Sequence, residues 1–139
     1  MTRVEGVPLL VLREAGREVL MLEGDDPNEV SAAFRRFLSA LKKVLVIDEE
    51  PMMNIVGNYH EKKWRLVIFP RRKHRPDIFF REGDARVVVS PGVIDMGGVL
   101  ITPSKKDFDR LDAPAIASIY REVSLEGKIV EKAVAAMVE

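Results

Sequence analysis

The tetrapeptide Asp26-Pro27-Asn28-Glu29 marks a helix start. An N-cap aspartate accepts from an amide of the first turn, and proline at the first helical position gives up an N–H that would be unpaired anyway. Glu29 stands where a capping box closes. Behind it Val30, Phe34, Phe37, Leu38, Leu41 and Leu45 recur at helical spacing, while Arg35, Arg36, Lys42 and Lys43 fall on the other side. A helix with one apolar face needs a second layer to cover that face, and the flanking segments say the layer is a sheet. Residues 7–13 and 18–22 are short apolar runs around Glu14-Ala15-Gly16-Arg17, which predicts a β-hairpin. Residues 52–59 and 64–69 are β-prone runs joined by His60-Glu61-Lys62-Lys63, which predicts a second, central hairpin lying under the helix. Phe34, Phe37, Leu38 and Leu41 are then expected to be buried.

Further strands are expected at 78–80, 86–89 and 99–102, with Ser90-Pro91-Gly92 and Gly97-Gly98 as breaks. The tail reads as helical. Ser104 caps a short turn toward Asp107, Asp112 precedes a helix carrying Ile116, Ile119, Tyr120 and Val123, and Ser124 precedes one carrying Ile129, Val130, Val134 and Met137. Hairpin, helix, antiparallel strands and then helices make an α+β domain, an antiparallel β-sheet with helices packed on one face. At 139 residues, one domain over 1–139 is expected.

Composition excludes several classes. No apolar run is long enough for a bilayer, and Met1 to Gly6 reaches a charge before a signal-peptide core forms, so the mature protein is expected to begin here. Cysteine is absent, which removes disulfides and thiolate chemistry and points to a cytoplasmic setting. The 22 basic and 22 acidic side chains cancel, so any anion site must be local and nucleic acid is disfavoured as a partner.

No Walker loop, dinucleotide fingerprint or nucleophile elbow is present, and His60 and His74 lie apart among charged residues, as solvated loop histidines do. No catalytic residue, metal site or cofactor is assigned. The densest basic cluster is Arg71, Arg72, Lys73, His74 and Arg75, framed by Pro70 and Pro76. Guanidinium forks match phosphate oxygens, and the framing prolines limit the entropy lost on binding; the alternative is a solvated charge run that blunts a sheet edge. Asn54 and Asn58 alternate with Met53, Ile55, Gly57 and Tyr59, giving one strand face amides that can hold a base or ribose or cap a loop. Asp95-Met96-Gly97-Gly98 is expected to be a tight turn or bulge.

The runs Met53-Asn54-Ile55, Trp64-Arg65-Leu66-Val67-Ile68-Phe69-Pro70-Arg71, Lys73-His74-Arg75-Pro76 and Ser90 through Pro103 form a pattern. Over roughly residues 9–125 it resembles the C-terminal domain of a bacterial family of unknown function. That family is related to ATP adenylyltransferase, the diadenosine tetraphosphate phosphorylase of the histidine-triad-like superfamily. The resemblance implies a histidine-triad-like half, comparable to the C-terminal half of a two-part nucleotidyltransferase. Larger relatives carry a histidine-φ-histidine-φ-glutamine signature upstream, and no two histidines stand at that spacing here. It therefore implies an accessory, non-catalytic domain that binds a nucleotide or another phosphorylated ligand through Asn54, Arg65, Arg71, Arg72, Lys73, His74 and Arg75. Either the chain is the C-terminal half of a larger enzyme or of a split one whose separate partner carries the histidines, or it is a stand-alone descendant that has lost the chemistry. The alternative is an interaction or homo-oligomerisation module without a ligand.

Overall fold

A computed structural model describes residues 2–138. The chain runs β1 (Thr2–Val4), β2 (Val7–Glu14), β3 (Arg17–Gly24), α1 (Pro27–Leu45), β4 (Met53–His60) and β5 (Lys63–Pro70). It continues through α2 (Val93–Met96), α3 (Lys105–Arg110), α4 (Ala113–Val123) and α5 (Gly127–Val138). The five strands form one antiparallel sheet in the order β1-β2-β3-β5-β4. The expected α+β class and both expected hairpins are present. β1 is an added edge strand joined to β2 through Glu5-Gly6, and it was too short for its sequence to announce.

Each hairpin closes with two residues at positive φ: Glu5-Gly6, Ala15-Gly16 and Glu61-Lys62. That geometry matches the right-handed twist of the strands it joins. The central hairpin's loop is thus two residues, with His60 and Lys63 already paired.

α1 begins as the sequence dictates, with Asp26 accepting from the Asn28 amide at 2.8 Å and Pro27 in the first turn. No bond from Glu29 back to the cap is formed, so the capping box is only half made. Phe37 and Leu41 are fully buried and Phe34 and Leu38 half-buried, so the expected face does meet the sheet. Burying a side chain of this size contributes roughly 2–3 kcal/mol.

Strand parity divides the core. Leu9, Leu20, Leu22 and Ile68 point to one face and pack with Val30, Phe37 and Leu41 of α1 and with Val130, Ala133 and Met137 of α5. Their sequence neighbours Val19, Val67 and Phe69 point the other way and meet Met96 of α2 and Ile116, Tyr120 and Val123 of α4. The long helices α1 and α5 therefore share a face, and the shorter α4 and α2 cover part of the opposite one.

The three further strands do not form. Asp77–Phe80 is a 3₁₀ turn, and 86–90 and 99–102 have no ladder partner. Val87 and Val89 are nevertheless buried against Ile119, and Val88 gives its amide to Asp107 Oδ2 at 3.0 Å instead of to a strand. The β-branched residues there serve packing under α4, a demand that imitates strand propensity.

Asp107 is buried, and its carboxylate is held below the usual range first by the Val88 amide, then by Ser104, Lys106 and Arg110. A carboxylate with a depressed folded-state pKa adds stability that is present above its unfolded pKa and is lost as pH falls through the folded one. Asp107→Asn is expected to lower the melting temperature at pH 7. It should also flatten the loss of stability below about pH 4, where unfolded aspartates titrate. An unchanged acid limb in pH-dependent melting would contradict this. Among the described residues no helix is long and apolar enough to cross a membrane.

Candidate anion site

The turn at the end of β5 places Arg71 inside the protein. Arg71 pairs through its backbone with Met52, and an isolated bridge joins it to Ser124 in the link between α4 and α5. Its side chain then points inward and is only 4% exposed. One terminal nitrogen donates to Asn54 Oδ1 and to the Pro91 carbonyl at 2.8 Å; the other donates to the carbonyls of Lys73 at 3.0 Å and His74 at 2.9 Å. One guanidinium thereby ties together β4, its own loop and the 90–92 turn. The planar fork makes this possible, since an ammonium has no matching geometry.

None of those acceptors is a carboxylate, so the buried charge has no ion-pair partner among the described residues. Asp95 attracts it from a distance, but the Asp95 oxygens are taken by the amides of Gly92 at 2.9 Å and Ile101 at 2.8 Å. Burial wins, and the Arg71 pKa is pulled below its ordinary value. Its Nε is buried without a partner among the described residues.

Above Arg71 lies a concavity of about 380 Å³ lined by Asn54, Arg71, His74, Arg75, Ser90, Pro91 and Gly92. Four of the seven residues expected from the sequence, Asn54, Arg71, His74 and Arg75, are brought together there. Arg75 donates Nε to Ser90 Oγ at 3.1 Å and stacks over the Phe79 ring at 4.7 Å, and no carboxylate engages it among the described residues. Its terminal nitrogens are thus held in place with donors to spare. Arg86 lies 4.8 Å from the centre of the same ring. Phe79 and Arg86 belong to segments after the basic loop, and the 3₁₀ turn brings them to it.

The other three cations go elsewhere. Arg72 donates to the Glu122 carbonyl at 2.7 Å and lies 3.6 Å from Glu126. Lys73 is paired with Asp77 and Glu122, which hold its pKa above the usual lysine value. Arg65 faces Glu23 across the β3–β5 ladder and is paired with it. It borders a different cleft of about 510 Å³ between α1 and the β4–β5 hairpin, lined mainly by Val30, Phe34, Tyr59, Trp64 and Leu66. That cleft is roomier, but its one cation is already neutralised, so it is poorly suited to an anion.

His60 is exposed beside Glu61, and His74 uses its carbonyl, not its ring, to hold Arg71. Among the described residues no group of three histidine, aspartate or glutamate side chains could hold a metal ion. Asp95 and Met96 end the one-turn helix α2 and Gly97-Gly98 form the turn after it, so the segment is a turn but not a bulge between strands; Arg17 on the Met96 carbonyl and Tyr120 on the Asp95 carbonyl tie it down.

The family model described as "GDPGP1-like, C-terminal domain" matches residues 11–138. No curated protein and no solved structure matches the chain.

Proposed function

The chain belongs to the GDPGP1-like C-terminal domain family, and we propose that it is an accessory, non-catalytic domain that binds a nucleotide or other phosphorylated ligand. The observation that carries this reading is the buried, carboxylate-free charge of Arg71 beneath an open concavity rimmed by Arg75 and His74. A phosphate seated there gains charge-assisted hydrogen bonds from Arg75 and completes the electrostatic balance of Arg71 without displacing any of its four internal bonds.

The sequence resemblance to ATP adenylyltransferase and diadenosine tetraphosphate phosphorylase supports a nucleotide, and a histidine-triad-like half, in the same direction. The missing histidine pair supports a division of labour in which a separate half carries catalysis. A cytoplasmic setting, drawn from the lack of cysteine, goes with it.

The test is calorimetry with inorganic pyrophosphate and with nucleoside di- and triphosphates at low salt. Arg75→Ala is expected to weaken binding at least about tenfold, the loss of one charged hydrogen-bonding partner. Arg72→Ala, whose side chain lies on Glu122 and Glu126, should leave it within about twofold. Affinity should also fall as salt rises. Equal losses from both substitutions, or no binding by the wild-type chain, would remove the site.

A further inference from the structure

The concavity over Arg71 ends at Arg75, and a second hollow begins one contact further on. After the 3₁₀ turn Asp77–Phe80 the chain reverses at Gly83–Ala85 and returns alongside, with the Val87 amide on the Ile78 carbonyl at 3.2 Å. Ile78 thereby packs with Val87 and Val89, and the next residue, Phe79, meets Arg86. Two guanidiniums, those of Arg75 and Arg86, lie against that one ring. A guanidinium held by an aromatic quadrupole keeps its N–H groups for other partners. Phe80 stands edge-on to Phe79, the ring centres 5.2 Å apart and the planes at 75°, and is 67% exposed. Phe79, Phe80, Arg81, Glu82, Gly83 and Arg86 line a concavity of about 380 Å³.

Neither phenylalanine belongs to the hydrophobic core, so core packing does not account for two adjacent rings here. Arg81 and Arg86 take part in no salt bridge or side-chain hydrogen bond among the described residues. An exposed ring beside unspent guanidiniums is the combination that stacks nucleobases, since every base has a π-face. Glu82, the one carboxylate on this wall, opposes a phosphate and accepts hydrogen bonds from base amino groups. The second hollow therefore suits a ring, and the first a phosphate.

We infer, on the strength of the anion site proposed above, that its ligand is a nucleoside phosphate whose base passes Arg75 and stacks on Phe80 beside Arg86. Arg75 stands at the joint: its plane rests on Phe79, its Nε is held by Ser90, and its terminal nitrogens meet the phosphate. The sugar spans the step between the two hollows.

Calorimetry of the full chain at low salt compares adenosine diphosphate with inorganic pyrophosphate, which carries two linked phosphoryl groups and no base. Phe80→Leu keeps an apolar side chain and removes the aromatic face. It is expected to weaken adenosine diphosphate binding about tenfold and to leave pyrophosphate within about twofold, the retained pyrophosphate affinity showing that the variant is folded. Phe80→Trp, which keeps a stacking face, should retain the nucleotide. Phe108→Ala, at a phenylalanine of α3 that is 71% exposed, should change neither ligand. Equal weakening of both ligands by Phe80→Leu, or of neither, overturns the base subsite while wild-type pyrophosphate binding leaves the anion site standing. A wild type that binds no pyrophosphate removes the anion site and the base subsite together.

Discussion

Arg71→Ala is expected to lower the free energy of unfolding by about 3–5 kcal/mol, the range of large losses that follow from breaking a buried hydrogen-bond network. The guanidinium serves four acceptors on three segments, and three of them are backbone carbonyls that lose this donor once it is gone. An acceptor left buried without a donor costs its desolvation, about 1–3 kcal/mol each before relaxation. Arg71→Lys should be nearly as damaging, since one ammonium cannot span Asn54, Pro91, Lys73 and His74 at once. Urea denaturation reads this directly, and a loss under about 1 kcal/mol for both variants would mean that the loop holds its shape without the arginine. The same geometry makes a double substitution of Arg71 and Arg72 a poor binding test, because any loss of affinity would follow from a collapsed loop. Arg75 is the position that separates binding from folding.

Gly16→Ala is expected to cost about 3 kcal/mol, well above the roughly 1 kcal/mol of a left-handed φ alone. Gly16 sits at φ +84° in the β2–β3 turn, and that turn presses on α4: a Cβ would come within 2.5 Å of the Ala117 carbonyl and 3.1 Å of the Arg121 amide nitrogen. Both atoms are helix backbone and cannot step aside. Gly6, at φ +80° in the β1–β2 turn, has nothing within 4 Å of the same position. Gly6→Ala therefore carries the conformational cost without the clash, and the difference between the two variants in thermal unfolding measures how closely the hairpin approaches α4. Equal destabilisation would mean that the contact yields freely.

What the sequence revealed and what it hid divide along the range of the forces involved. α1, α4 and the central hairpin were legible because their signals are local: Asp26 and Asp112 cap amides within three residues, and the apolar positions keep helical or strand spacing. The segment from 78 to 102 was not, because Val87 and Val89 owe their identity to burial under α4 and the Val88 amide goes to a carboxylate far along the chain. The site divides in the same way. A basic loop between prolines was visible as composition, but whether each cation turns inward, pairs off or stays available depends on residues such as Pro91, Glu122 and Phe79, whose proximity only the fold creates.

The most direct test of the anion site is an amide NMR titration of the uniformly ¹⁵N-labelled chain with inorganic pyrophosphate at low salt. The largest shifts are expected at Asn54, at residues 71–75 and at Ser90 and Gly92, with the cleft around Gly57, Trp64 and Leu66 unmoved. Shifts centred on that cleft, or none at saturating pyrophosphate, would contradict an anion site above Arg71.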